Sequence, residues 1–359
     1  MICYINRSTV DYDIRLQKYV QACQETNTPY CVIGWDRLKN CFKVYPDEYQ
    51  YKVYSPYGNG FKSLFPLIGW VLFVWLYLIK KRRRYKVIHA CNIENYLIAC
   101  PAKWFGKKLV LDIYDSAIPK IETRAAIKCD ALILPNDNRL EQLKLSKKDV
   151  KHYLEVENVP MFHEGLFKNR IVEFPKTIHL SYVGVMQKEI RGIENILSMV
   201  NDDERFVIDI AGTGDGLDQI ITEMAKKNNR IHYHGKVNYQ TALSIMNSSD
   251  FIVALYYLDC VSHKYASPNK YYESLYLSKP VVTTKGTLIG NIVERYNTGY
   301  TVNDTKEALI QLFAMTKTCQ FMSDYIIKCQ NCTERWNSVY SSYFDSVTKK
   351  KYLDLMLSL

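Results

Sequence analysis

A chain of 359 residues is long enough for two domains of ordinary size, and 48% apolar and 23% charged residues with only 15 Gly and 11 Pro describe a globular protein with a sizeable core. Disordered, collagen-like and short binding-module architectures are excluded. The formal net charge of +10 belongs to one half: residues 1–170 hold 27 Lys and Arg against 17 Asp and Glu, whereas residues 171–359 hold 20 of each. The first half is therefore expected to face an anionic partner, nucleic acid or membrane, unless its basic face is only solvated.

Short β-rich apolar runs alternate with stretches of helical period, the pattern of βα units and parallel sheets. Strands are expected at residues 1–5, 30–35, 86–90, 108–113 and 131–134, and again at 178–183, 206–211, 231–234, 251–255 and 280–283. Asn158-Val159-Pro160 and Phe174-Pro175 break the regularity between the two sets. The expected fold is α/β: two Rossmann-like, doubly wound domains, residues 1–172 and 173–335, then a helical stretch, 336–359. The eleven cysteines are scattered and odd in number and follow no cleavable signal peptide, which fits a reducing compartment. Cys329 and Cys332 form a CxxC with no second pair, so they read as buried thiols one helical turn apart and not as a zinc site.

Residues 64–79 carry no charge and run directly into Lys80-Lys81-Arg82-Arg83-Arg84. As a helix, with Pro66 suited to its first turn, they would span about 24 Å, short of the roughly 30 Å of a hydrocarbon layer. A transmembrane span is thus not expected. A helix apolar on every face needs cover on both sides; a sheet supplies one, and lipid is the expected cover for Trp70, Phe73, Trp75 or Tyr77, with burial in protein as the alternative. The five cations suit anionic headgroups. Aromatic and basic residues are segregated here, not interleaved, which argues against nucleic acid. Earlier in the chain, Asp11 and Asp13 spell DxD, which a helix cap by Asp13 explains without a metal.

In the second half the most informative stretch is Ala266-Ser267-Pro268-Asn269-Lys270-Tyr271-Tyr272-Glu273. Ser267 before Pro268 reads as an N-cap followed by Pro at the first helical position. Free N–H groups and the dipole of that helix make an anion site, Lys270 adds a full charge, and a diphosphate is the natural guest. Glu273 suits the vicinal hydroxyls of a ribose, or else it lies on a solvated helix face. Arg191 stands near another helix start, where a cation opposes the dipole and a bound phosphate would explain it. Gly212-Thr213-Gly214-Asp215-Gly216 lacks GxGxxG spacing, requires no helix at its end and by itself reads as a turn. His232 and His234 share a strand face; without a carboxylate or thiolate beside them they read as structural.

Taken in order, Gly184 to Arg191-Gly192, Ile210-Ala211-Gly212-Thr213-Gly214, His234-Gly235-Lys236-Val237, Ser249-Asp250, the Ser267–Glu273 stretch and Lys279-Pro280-Val281-Val282 resemble the nucleotide-sugar half of glycosyltransferase family 4. Tyr12-Asp13-Ile14-Arg15, Val87-Ile88-His89-Ala90, Leu111-Asp112-Ile113-Tyr114-Asp115, Cys129-Asp130 and Val156-Glu157-Asn158-Val159-Pro160 resemble the acceptor half. The resemblance implies a GT-B fold, two Rossmann-like domains facing across a cleft with a C-terminal helix crossing back. Residues 1–172 would then bind acceptor and membrane, residues 173–335 the nucleotide sugar, and residues 336–359 would return to the first domain.

The resemblance also implies retaining, metal-independent transfer of a hexosyl-type group from a UDP- or GDP-sugar, with no cofactor. By position, Arg191 and Lys270 are the diphosphate cations, Ser267, Pro268 and Asn269 the phosphate and sugar loop, Glu273 the ribose ligand, and Val237 the contact to the base, with Gly184 and Gly212 in the donor site. Two positions depart from the family pattern: its usual Glu is Tyr265 and its first diphosphate cation is Val185, so Lys270 is expected to replace the missing charge. Asp115 is the candidate for orienting the acceptor hydroxyl or stabilising positive charge on the donor sugar, or it is a turn residue. His89, expected to end a strand at the crevice edge, is either catalytic or a structural imidazole. The implied function is extension of a lipid-linked glycan for a bacterial capsule, exopolysaccharide or O-antigen, in the cytoplasm and peripheral on the inner face of the cell membrane through residues 61–84. The alternatives are a nucleotide-sugar epimerase or hydrolase of the same fold, or a non-catalytic partner subunit.

Overall fold

In the computed structural model, which describes residues 1–39, 41, 44–55, 63–115, 118–162 and 177–359, every expected strand forms within one residue of its anticipated ends. The expected domain boundary at 172/173, and residues 61 and 62 of the apolar-basic segment, lie outside the described residues. The chain divides into two compact units, Met1–Met161 with Ser342–Leu359, and Phe162–Ser341.

The first unit runs β1 (Ile2–Asn6), α1 (Ile14–Glu25), β2 (Tyr30–Trp35), β3 (Glu48–Tyr51), α2 (Leu64–Lys80), β4 (Val87–Cys91), α3 (Asn92–Ala99), β5 (Lys108–Asp112), α4 (Pro119–Lys128), β6 (Ala131–Leu134), α5 (Asn138–Gln142) and β7 (Tyr153–Glu155). Its strands pair in parallel in the order β3-β2-β1-β4-β5-β6-β7. β1, β2, β4 and β6 are buried at every residue, which explains why their runs are almost wholly apolar, with His89 the exception inside β4: helices cover both faces of a parallel sheet. Residues alternate between the faces. Cys3 and Ile5 pack with Trp70 and Val74 of α2, Ile93 and Tyr96 of α3 and Ala125 of α4. Ile2 and Tyr4 pack on the other side with Leu16, Tyr19 and Val20 of α1 and with Tyr352, Leu353 and Met356 of the C-terminal segment.

α2 buries only the stripe Trp70, Val74 and Leu78, four residues apart, while Phe65, Ile68, Leu72, Leu76 and Ile79 stay exposed. The sheet thus supplies one of the two covers this helix calls for. Among the described residues no helix is long and apolar enough to cross a membrane.

The second unit continues with β8 (Ile178–Val183), α6 (Ile193–Asp202), β9 (Phe206–Ala211), α7 (Leu217–Lys227), β10 (Ile231–Gly235), α8 (Tyr239–Ser248), β11 (Phe251–Ala254), α9 (Asn269–Leu277), β12 (Val281–Thr284), α10 (Leu288–Tyr296), β13 (Gly299–Val302), α11 (Lys306–Ala314) and α12 (Cys319–Arg335). Its sheet, also parallel, has the order β10-β9-β8-β11-β12-β13. This is the order of the first six strands of the other sheet. The strand order reverses between β1 and β4 and between β8 and β11, and in such open sheets ligands bind beyond the carboxyl ends of the strands at the reversal. Beyond α12 the chain stays helical through wider π turns at Trp336–Tyr340 and Phe344–Tyr352 and ends in α13 (Leu353–Ser358).

Three strands had no counterpart in the sequence reading: β3, β7 and β13, each at a sheet edge and only partly buried. None of the eleven cysteines is in a disulfide, and Cys329 and Cys332 are buried on α12.

Candidate active site

The loops that follow β8, β9 and β10 lie side by side, joined by backbone hydrogen bonds from Gly184 to Ala211 (2.8 Å), Met186 to Thr213 (3.1 Å) and Gly212 to Gly235 (2.8 Å). Such close approach requires glycine. Gly212 has φ +146°, and a Cβ there would stand 1.8 Å from the Gly184 carbonyl oxygen. The glycine spacing of this loop does not by itself require a helix at its end, yet α7 starts directly after Gly216, whose φ of +69° suits an N-cap that only glycine adopts freely.

Over this glycine floor reaches Lys270. A Cβ on Gly184 would come within 2.6 Å of its Nζ, and the ammonium lies 5.9 Å from the Tyr182 ring centroid. Arg191, just before the Gly192 N-cap of α6, donates from Nε to Gln187 (3.0 Å) and places its guanidinium 4.4 Å from the Tyr256 ring centroid at the end of β11. Burial and the neighbouring Tyr256 push the Tyr182 phenol up, while Arg191 pulls it down. The two cations therefore bracket one Tyr182–Tyr256 pair at the reversal between β8 and β11. Val185 is exposed, and Tyr265 ends a 3₁₀ turn with Lys264 Nζ 5.5 Å from its ring centroid.

α9 starts at Asn269 with Pro268 as its N-cap, and no side chain caps it. The expected cap, Ser267, is one residue too early for that role: it is buried with its hydroxyl 3.2 Å from that of Tyr272. The N–H groups at the start of α9 are consequently not taken by a side-chain cap, as an anion site requires. Glu273 is not on a solvated face. It is 5% exposed and accepts a 3.0 Å hydrogen bond from Tyr239, the first residue of α8. Burial raises its pKa, against Lys270 and Tyr239, which both lower it. Lys270, Glu273 and Tyr239 thus form one electrostatic unit. Val237, half-buried, lies in the short turn from β10 to α8. No motif marks Tyr182 and Tyr256 as neighbours of the two cations, or Tyr239 as the partner of Glu273, so the sequence does not announce them.

In the first unit Asp115 follows the carboxyl end of β5; its side chain is 89% exposed and accepts 2.8 Å from the buried Arg139. His89 does not end its strand. It is the middle residue of β4, fully buried, with Nδ1 sharing a 3.0 Å hydrogen bond with the Tyr352 hydroxyl, which donates to Tyr4. Its Nε2 is 3.3 Å from Asp112 Oδ2 in an alignment too poor for a hydrogen bond. Asp112 is itself the focus of a buried cluster: Arg15 donates to both of its oxygens (3.0 and 2.8 Å) and Tyr19 donates at 2.8 Å. Burial pushes the Asp112 carboxyl up, but Arg15 and His89 bring it down to about 2. Asp13 caps α1 by accepting from Leu16 N at 2.8 Å.

His232 and His234 do have a carboxylate beside them, Asp209 on β9, with Oδ1 at 3.3 and 2.7 Å. Among the described residues, however, no group of His, Cys, Asp and Glu has the geometry to hold a metal.

Residues 177–315 match the family model described as Glycosyl transferases group 1. No curated protein matches the chain by sequence. Solved structures similar along the whole chain include Anabaena HepE in complex with UDP and glucose (14% identity, TM-score 0.70, 100% of both chains covered) and sucrose-phosphate synthase from Thermosynechococcus elongatus (13%, 0.72, 100% of both chains). WaaG, a glycosyltransferase involved in lipopolysaccharide biosynthesis, is similar at 10% identity and TM-score 0.67 over 97% of this chain and 98% of its own. Residues 177–315 are thus similar to the group 1 glycosyl transferases, and the chain from end to end has the GT-B fold of these solved structures.

Proposed function

We propose that the enzyme transfers a sugar, with retention of anomeric configuration, from a UDP- or GDP-sugar to a lipid-linked glycan in surface polysaccharide assembly, at the inner face of the cell membrane. The observation that carries the donor half is the grouping of Lys270 over Gly184, Arg191 on Tyr256 and the uncapped start of α9 beside the buried Glu273. Two cations and a helix N-terminus answer a diphosphate, and a buried carboxylate answers vicinal ribose hydroxyls. HepE, solved with UDP and glucose, and WaaG, named for lipopolysaccharide biosynthesis, share the fold and support both the donor class and the glycan product.

As the glycosidic bond breaks, negative charge builds on the leaving diphosphate. Lys270 and Arg191 stand ready for it, so little reorganisation is required, and loss of one such group is worth about 2.7–4 kcal/mol, or roughly 100- to 1,000-fold in rate. In this reading Ser267, Pro268 and Asn269 shape the phosphate and sugar loop, Gly184 and Gly212 let the ligand approach the backbone, and Val237 lies against the base. Lys270 takes the place of the cation that Val185 lacks. Asp115 serves the acceptor hydroxyl or the positive charge on the donor sugar; His89, being buried, acts behind it by holding Tyr352. The lipid-linked acceptor and the membrane surface are supported by the exposed apolar residues of α2 and the five cations that follow them.

A panel of UDP- and GDP-sugars with a lipid-linked acceptor, scored by product mass and anomeric configuration, tests this. Transfer with retention is expected. Donor consumed without acceptor would indicate an epimerase or hydrolase, and failure to bind either nucleotide would indicate a scaffold.

A further inference from the structure

The exposed side of α2 is not a uniform apolar surface. Trp75 and Ile79, together with Ile98 at the end of α3 and Pro101, Trp104 and Phe105 in the 3₁₀ turn Cys100–Phe105, line a cavity of about 260 Å³. Every lining residue is apolar, and the indole N–H of Trp75 is turned to the Ile98 carbonyl, to which it donates at 2.9 Å. A dry apolar cavity of about 150 Å³ already admits benzene, so this one has room for a stretch of hydrocarbon chain. At its mouth Trp104 is 86% exposed.

The place of this cavity in the sheet is fixed by the chain. α2 leads into the start of β4, where Tyr85 donates to the Leu78 carbonyl at 2.6 Å, and the turn after α3 leads into the start of β5. The cavity therefore lies at the amino edge of the parallel strands, the edge opposite Asp115, which follows the carboxyl end of β5. The cations Lys80 to Arg84 follow Ile79 directly, and Lys103 and Lys107 flank Trp104 and Phe105. Five consecutive cations beside a wholly apolar cavity complement a molecule that is anionic at one end and hydrocarbon at the other.

We propose that this cavity holds one acyl chain of an anionic bilayer phospholipid, its phosphate on the 80–84 run, as an anchoring site separate from the acceptor site. The inference rests on the membrane reading above and deepens it: the lipid is the bilayer's own, not the carrier of the acceptor, because the cavity is at the wrong edge of the sheet for Asp115.

The test uses the full chain and three probes: monomeric dihexanoyl-phosphatidylglycerol, its phosphatidylcholine counterpart, and vesicles of equal parts phosphatidylcholine and phosphatidylglycerol with brominated acyl chains. Saturable binding of the anionic monomer, at least tenfold weaker binding of the choline lipid, and quenching of tryptophan fluorescence by the brominated vesicles are expected. Ala102 also lines the cavity, so Ala102→Phe fills it; that variant and Trp104→Ser, at an exposed position that the fold does not need, should each weaken monomer binding at least tenfold. Both should leave turnover of a soluble acceptor unchanged. Arg83→Ser with Arg84→Ser should weaken vesicle binding about thirtyfold at low salt. Vesicle binding by the wild type with no saturable monomer binding would overturn the cavity proposal and leave the membrane reading standing. No vesicle binding at all would overturn both, and loss of soluble-acceptor turnover in the cavity variants would assign the cavity to the acceptor instead.

Discussion

Glu273 is a buried carboxylate that the free protein gains nothing by ionising. Burial holds its pKa above the ordinary glutamate value although Lys270 and Tyr239 lower it. An acid whose folded pKa is raised favours the folded state below its unfolded pKa and loses that contribution as pH rises through the folded value. At neutral pH the charge is thus a cost that only a ligand can offset. Glu273→Gln keeps the shape and an oxygen to accept the Tyr239 bond, and it removes the charge. The stability of the free protein at pH 7 should rise by about 1 kcal/mol, a gain that shrinks toward pH 4 as wild-type Glu273 protonates. Glutamine offers one acceptor oxygen where the carboxylate offers two, so one charge-assisted bond to the ribose is lost, about 1.5–3 kcal/mol. UDP should bind about ten- to a hundredfold more weakly. Denaturant unfolding at the two pH values and calorimetric titration with UDP measure both effects. A variant less stable at pH 7 that binds UDP as the wild type does would refute the placing of a strained, ligand-seeking carboxylate at this position.

Tyr239→Phe removes a bond that lowers the Glu273 pKa, so the acid limb of UDP binding should move to higher pH by about one unit, read from affinity against pH. Gly212→Ala puts a Cβ 1.8 Å from a backbone oxygen at φ +146° and should cost about 3 kcal/mol or more, whereas Gly216→Ala, at φ +69° in open space, should cost about 1–2 kcal/mol; denaturant melts separate the two. Asp112→Asn leaves Arg15 buried without its partner and should destabilise the first unit by about 3–5 kcal/mol in the same assay. Lys18, buried and donating to the Glu157 and Val159 carbonyls, has its pKa lowered to about 7 by burial and by Arg15. Its depressed pKa makes stability rise with pH from about 7 toward the unfolded lysine value near 10.4, and Lys18→Met should flatten that slope.

The parts that the sequence reading captured are those where one local rule decides. Unbroken apolar runs mark strands buried on both faces, and β1, β2 and β6 fall where expected. The edge strands β3, β7 and β13 form because a neighbour offers an unpaired edge, which no local pattern in Glu48-Tyr49-Gln50-Tyr51 announces. The same limit applies at the site. Pro268 and Lys270 could be placed from helix-start chemistry, whereas the role of Ser267 shifted by one residue because Pro268 itself took the cap. Glu273 leaves two readings open from sequence, solvated or ligand-facing, and α8 removes the first by covering it with Tyr239. His89 read as an edge residue because Cys91 was not expected to extend β4, and its partner Tyr352 lies 263 residues away. Long-range partners of this kind leave no trace in spacing.

The most direct measurement is a crystal structure of the chain with bound UDP. The account predicts the diphosphate at the start of α9, within hydrogen-bond distance of Lys270 Nζ and Arg191 and above Gly184, with both ribose hydroxyls on Glu273. Nucleotide bound elsewhere, or a pocket closed by side chains with Glu273 still held only by Tyr239, would contradict it.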